Sequence, residues 1–392
     1  MRQMESLTNR IVEIKTPGSI LFGPGASQSL SDRIKNFPEG PIVIVTDPGL
    51  VKAGVAERIQ GLLCSADRRV QVFDSVQPDP DKECVEQCLE MVRAADAKLL
   101  LGLGGGSSLD VAKVTAILRA HGGTMSDYVG IDKVPDRGLP TILLPTTSGT
   151  GSEVSPIAVI SDRKQHSKLG IVSPHLYCDL AIVDPSLTLS CPANVTASSG
   201  IDALTHAVEI YTSKSSAALI DPLALEAIRL VGQHLSNCVR DGSNLTARSG
   251  MSLAALFAGL GLGPVNTAAV HAMAYPLGAT FDVPHGVANS LLLPFVMEFN
   301  LTANPQKYAR IAAALGEDTK GLSPSEAAQR SVQAVVRLSK DLGIISRMRD
   351  LNIPADAIDD MAASAMKVSR LLKNNPREIT VDGARQIYQN AY

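Results

Sequence analysis

The chain has 392 residues, enough for two domains that each bury a sizeable interior, with 45% apolar and 19% charged residues. A net charge of −3 without any basic cluster excludes an electrostatic binder of nucleic acid or anionic lipid. No uninterrupted run of about 18 apolar residues occurs, so no membrane span is expected, and the opening MRQMESLTNRIVEIKTP lacks an apolar signal core, which points to the cytoplasm. The six cysteines are scattered, none in a C-x-x-C pair, and read as reduced thiols.

In chain order, the first half alternates. Residues 41–47 (PIVIVTD) read as a buried strand, 55–66 as a helix, 69–76 as a strand and 81–96 as a helix. A strand at 98–105 (KLLLGLGG), a helix over 107–120 and a strand at 141–147 (TILLPTT) follow. Such alternation predicts βαβ units and a mostly parallel sheet. Three further β-like runs, IAVISD, LGIVS and LAIVDP, read as edge hairpins or additional strands. Near residue 190 the texture changes. Apolar residues then recur at helical spacing, as at 221–239, 325–343 and 356–374. The predicted architecture is an α/β, Rossmann-like dinucleotide-binding domain over 1–190 and an all-α domain over 191–392.

Residues 99–113 (LLLGLGGGSSLDVAK) combine a strand, a glycine-rich turn and a helix start. Without Cβ atoms at 104–106, backbone N–H groups can approach a phosphate at a helix N-terminus; the bland alternative is a tight turn. The order is not G-x-G-x-x-G, because Ser107 takes the last glycine slot. A second loop, 144–156 (LPTTSGTGSEVSP), offers hydroxyls at Thr146, Thr147, Ser148 and Thr150. Asp47, at the end of its strand, can accept a ribose 2′-hydroxyl and repel a 2′-phosphate, which favours NAD over NADP. It can equally cap a turn ahead of Pro48.

The helical half holds a ligand-like set. Asp202 and His206 stand one helical turn apart in GIDALTHAVE, and His271 and His285 flank HAMAYPLGATFDVPHG. One carboxylate with three imidazoles suits Zn2+ or Fe2+.

These segments resemble the signatures of the iron-containing (group III) alcohol dehydrogenases. GGGSSLDVAK, PTTSGTGSEVSPIAVISD, GIDALTHAVE and HAMAYPLGATFDVPHG occur in family order, with LFGPGA, VQPDP, SKLGIVSPHL, DPSLT and NNPREIT around them. The resemblance implies a dehydroquinate-synthase-like fold, with NAD in a cleft between the domains and the metal on the helical side. It places metal ligands at Asp202, His206, His271 and His285. It places cofactor contacts at Asp47, Gly105, Gly106, Ser107, Thr146, Thr147, Thr150 and Lys168, the lysine at the ribose. It also implies a homodimer or larger homo-oligomer with an exchanged N-terminal strand, here GSILFG. The implied activity is hydride transfer between a primary or secondary alcohol, or its aldehyde or ketone, and NAD. A maleylacetate-reductase-like enzyme, a hydroxyacid–oxoacid transhydrogenase and a dehydroquinate-synthase-like lyase are the alternatives. Two departures stand out. Tyr275 occupies the place where many members carry a second histidine, so it is the catalytic candidate, as a proton relay or as a pocket wall. The stretch 259–271 (GLGLGPVNTAAVH) lacks the family's N-A-x-L-G run, which leaves the alcohol or aldehyde open.

Overall fold

The computed structural model describes residues 11–163 and 167–392; the first ten residues and His166 lie outside the described residues. The described chain divides into two compact units: 15–191 with 242–252, and 192–241 with 253–392, to which 11–14 belong.

The first unit is built on a six-stranded parallel sheet in the order β1-β9-β6-β4-β2-β3. Its strands are β1 (Ile20–Phe22), β2 (Ile42–Val45), β3 (Val70–Phe73), β4 (Leu99–Gly104), β6 (Thr141–Pro145) and β9 (Leu180–Val183). β2, β4, β6 and β9 are buried throughout. That explains why their sequences read as continuous apolar runs rather than alternating ones. One face of the sheet, including Ile42, Ile44, Leu99, Leu101, Ile142 and Leu144, packs with Val55, Ile59 and Leu63.

Helices α1 (Pro48–Lys52), α2 (Val55–Cys64), α3 (Lys82–Ala94) and α4 (Gly106–His121) connect these strands. The chain leaves β2 towards β3 on one side, and the next strand, β4, lies on the other side of β2. Strand order therefore reverses between β2 and β4. The carboxyl ends of strands at such a reversal are where open α/β sheets hold ligands.

Two of the three later β-like runs do form a hairpin. β7 (Ile157–Asp162) and β8 (Ser167–Val172) pair antiparallel in a separate three-stranded sheet with β5 (Gly130–Ile131). The third, LAIVDP, supplies β9 of the main sheet. Ile20–Phe22 pairs in parallel with β9 of its own chain, Ile20 opposite Ala181 and Phe22 opposite Val183.

The second unit is helical: α5 (Ala193–Thr212), α6 (Asp221–Arg240), most of α7 (Leu245–Leu262), α8 (Ala269–Phe281), α9 (His285–Asn300), α10 (Pro305–Ala314), α11 (Pro324–Asp341), α12 (Ile358–Met366), α13 (Ser369–Leu372) and α14 (Val381–Ala391). The single helical pattern read over 356–374 is thus broken into α12 and α13. Among the described residues, α7 alone is long and apolar enough to cross a membrane, with mean hydropathy 1.3. It carries Arg248, whose guanidinium donates to the Gly242 and Cys191 carbonyls, and 67% of it is buried, the pattern of a core helix.

Candidate active site

The cofactor candidates gather at the carboxyl ends of three adjacent strands. Asp47 follows β2 and caps α1, its Oδ1 accepting from Leu50 N at 3.1 Å. Its other oxygen, Oδ2, lies 3.5 Å from where a Cβ on Gly104 would stand. The capping alternative for Asp47 is therefore realised, and it leaves Oδ2 beside the glycine turn. Gly105 forms the N-cap of α4, and Gly106 and Ser107 open its first turn.

The loop after β6 folds onto this turn. Thr146 N donates to Gly104 O at 3.0 Å. Thr147 Oγ1 is 3.4 Å from a Cβ built on Gly105, and Thr150 Cγ2 is only 2.7 Å from one built on Gly106. Gly106 is thus required by close approach: any side chain there collides with Thr150. Asp110, one turn further along α4, locks the two segments together. It accepts from Ser152 Oγ at 2.5 Å and Val159 N at 2.8 Å. Buried Lys113 adds donors to the carbonyls of Ser155 and Ile157.

Lys168 is placed differently. On β8 its ammonium meets Asp79 Oδ1 at 2.5 Å and Ser161 Oγ at 2.9 Å, with the side chain 8% exposed. Asp79 belongs to the VQPDP segment, so this ion pair ties that turn to the β7–β8 hairpin.

The metal candidates come from three helices of the second unit. Asp202 and His206 lie on α5, His271 in the first turn of α8, and His285 at the start of α9. Gly286 brings the last of these in: a Cβ there would stand 3.0 Å from Ser198 O, so only glycine lets the α9 terminus lie against α5. Ligand atoms of Asp202, His271 and His285 lie within 4.8 Å of one another. Asp202 Oδ1 is 3.7 Å from His271 Nε2 and 3.8 Å from His285 Nε2. Two ligands about 2.1 Å from one ion stand ~3.0–3.4 Å apart, so a few tenths of an ångström closes the set. His206 stacks flat on His271, centroids 4.6 Å apart, and its buried Nδ1 has no hydrogen-bond partner.

Two residues missed by the sequence reading complete this centre. Asn289, one turn after His285, donates Nδ2 to Asp202 Oδ1 at 2.7 Å and stands 3.1 Å from both His271 Nε2 and His285 Nε2. Three lone-pair atoms converging on one donor is the arrangement a cation satisfies better than an amide. Glu209, buried on α5, accepts from Ala268 N at 3.0 Å, Val270 N at 2.5 Å and His271 Nδ1 at 2.6 Å. It thereby caps α8 and, by taking the Nδ1 proton, leaves the Nε2 lone pair of His271 facing the centre.

The electrostatics agree with this assignment. Burial, then the charges of His206 and His285, push His271 well below its ordinary value, so it presents a neutral imidazole. Burial opposes ionisation of Asp202, but the surrounding imidazoles, His206 first, and the Asn289 amide outweigh it and hold the carboxyl below its usual range. Burial pushes Glu209 up to about 7, against three donors that favour its carboxylate. Donor chemistry, the orphaned His206 nitrogen and the converging lone pairs all fit a divalent ion of the Zn2+ or Fe2+ kind.

Residues 17–185 match the iron-containing alcohol dehydrogenase family, and residues 196–392 match the C-terminal region of the Fe-containing alcohol dehydrogenase family. The chain is 39% identical over 385 residues to long-chain-alcohol dehydrogenase 1 of Geobacillus thermodenitrificans, covering 97% of each. The crystal structure of a 1,3-propanediol oxidoreductase superposes with a TM-score of 0.95 at 37% identity, over 98% of this chain and all of that one. A sulfoacetaldehyde reductase from Bifidobacterium kashiwanohense, solved with NAD+, gives a TM-score of 0.87 at 32% identity, over 98% and 99%. The chain belongs to the iron-containing alcohol dehydrogenases. It is accordingly an oxidoreductase that interconverts alcohols with their carbonyl counterparts, in a family that uses a nicotinamide cofactor and a divalent metal.

Proposed function

We propose that this chain is a cytoplasmic, homodimeric alcohol dehydrogenase that prefers NAD and holds its ion with Asp202, His206, His271 and His285. The observation that carries the metal assignment is the convergence of the Asp202, His271 and His285 lone pairs on one point. When bound, the ion supplies a Lewis acid for the alcohol or carbonyl oxygen, and the nicotinamide supplies the hydride acceptor or donor. The chain's own part is placement. Gly105, Gly106 and Ser107 offer N–H groups to the cofactor phosphates, while Thr146, Thr147 and Thr150 wall the same turn. Lys168 is assigned to the ribose on the family resemblance, its ammonium held by Asp79 and Ser161. Light scattering on the purified protein checks the dimer.

Asp47 is assigned to the ribose 2′-hydroxyl through Oδ2, the oxygen its cap does not use. NAD is expected to outperform NADP in a panel of alcohols and aldehydes run with metal-reconstituted protein. Asp47→Gly is expected to raise relative use of NADP by roughly 5- to 150-fold, the worth of removing a carboxylate from beside a phosphate. Glycine still serves as a helix cap at small cost. A wild type that already prefers NADP would show that Asp47 does not face the ribose.

Tyr275 is assigned to the pocket wall. It lies partly exposed on α8, one turn after His271 and directly before Pro276, which removes the N–H that would bond the Ala272 carbonyl. Phenols in general are poor bases at neutral pH. Tyr275→Phe is therefore expected to change KM or substrate preference by a few-fold to tenfold with kcat nearly unchanged. A kcat loss of ~10-fold or more at normal KM, with metal and cofactor binding intact, would assign it the proton relay instead.

A further inference from the structure

The helix that carries both His271 and Tyr275 has a weak point in its backbone. Pro276 lies inside α8 and lacks the N–H that would bond the Ala272 carbonyl, and its ring crowds that carbonyl. The turn holding His271 and the turn holding Tyr275 are therefore tied by one intrahelical bond fewer than usual. Proline is also where helices most often change direction.

Ahead of this point the chain is pinned from outside. Glu209 accepts from Ala268 N, Val270 N and His271 Nδ1, and Asn374 donates Nδ2 to Thr267 O at 2.9 Å. At the weak point itself a different side chain takes hold. Tyr388 of α14 donates its hydroxyl to Met273 O at 2.6 Å, midway between His271 and Tyr275. The carbonyl of Met273 is also the intrahelical acceptor for Leu277 N, the first N–H after Pro276, and its two lone pairs can serve both donors. Tyr388 is fully buried, and burial pushes its phenol well above the ordinary value, so it keeps the proton it donates. α14 packs on α9 and α12, which makes the hydroxyl a fixed point against which α8 is held.

We propose that Tyr388 is a positioning residue for the substrate pocket: its hydroxyl fixes the direction in which α8 continues past the His271 turn and so sets where Tyr275 stands. This rests on the assignment of Tyr275 to the pocket wall and names what holds that wall. The effect falls on substrate fit rather than on the metal, because Glu209 holds His271 independently. A buried phenol near the end of the chain thus tunes which alcohols are accepted without touching them.

Tyr388→Phe removes the hydroxyl and keeps the ring that fills the core. With metal-reconstituted protein, NAD and a series of linear primary alcohols, the variant is expected to raise KM for the best alcohol by about tenfold. kcat stays within about twofold, and the preference along the series flattens. Co2+ affinity, measured by competition with a chelator, stays within about threefold, since the Glu209 bond to His271 is untouched. Amide hydrogen exchange, which needs no turnover, speeds up in the peptide following Pro276. Tyr308→Phe is the matched control: it deletes the hydroxyl of another buried tyrosine, on α10, and leaves KM and preference unchanged. In a Tyr275→Ala background Tyr388→Phe adds nothing further to KM, because the side chain it positions is gone. Unchanged KM or unchanged exchange in Tyr388→Phe overturns the proposal. So does a KM change that Tyr308→Phe reproduces, or one that adds in full to Tyr275→Ala. A fall in Co2+ affinity that parallels KM also overturns it and gives the hydroxyl to His271. If Tyr275→Phe lowers kcat at normal KM, the pocket-wall reading fails, while exchange and additivity still decide Tyr388.

Discussion

Replacing His206 with alanine is expected to empty the metal centre and abolish turnover. His206 lies one helical turn from Asp202, and its buried Nδ1 lacks any hydrogen-bond partner. Removing one of four donors from a site of this kind should lower bound metal from about one ion per chain to near zero after dialysis. Turnover should fall by ~1000-fold or more, because the Lewis acid goes with it. Metal analysis of the purified variant decides the matter. Full occupancy in His206→Ala would show that the ring merely packs on His271 and that three protein donors suffice. His121, His175 and His234 lie outside the centre, and alanine at each should leave metal content unchanged.

The second large effect is expected at Glu209, which is placed to act through another residue. In Glu209→Gln the amide oxygen can still accept from Ala268 N or Val270 N, but an NH2 group then competes to face His271 Nδ1. The imidazole is driven towards the opposite tautomer, with its proton on Nε2 pointing into the centre where a lone pair is required. Affinity for Co2+, measured by competition with a chelator, should fall by about 10- to 100-fold. A lost α8 cap would instead appear as a lower melting temperature with metal affinity retained, and that result would reduce Glu209 to a structural role. Glu209→Asp should recover part of the affinity if the carboxylate reaches the ring.

The residues assigned to the metal could be picked out only in part from local spacing. Asp202 and His206 share a helix face at i, i+4, and the His-Gly pair at 285–286 marks a helix start where glycine is needed for close approach. Glu209 was equally available as the next polar position on the same buried face, at i+7 from Asp202, and Asn289 at i+4 from His285. Polar residues at core spacing on otherwise apolar helices were the signal overlooked. The parallel sheet followed from continuous apolar strands separated by helical segments. Its order did not, because pairing of β1 with β9 joins residues about 160 positions apart, and the return of β4 to the far side of β2 leaves no local trace. Lys168 shows the limit in the other direction. Resemblance names a cofactor contact, whereas the fold reveals the Asp79 and Ser161 partners that hold its ammonium.

The contact between Gly106 and Thr150 has a consequence for how such an enzyme can change over evolutionary time. Each of the two segments fills the space the other leaves, and Asp110 bonds them together, so neither accepts a single larger residue without displacing its neighbour. Drift at these positions must come as compensated pairs. Asp47 is under no such constraint: it lies at a partly exposed strand end, on a five-residue helix that a substituted cap barely disturbs. If Asp47 faces the ribose as assigned, a lineage that switches between the two nicotinamide cofactors has a one-step route through residue 47, with the glycine turn passed on unaltered.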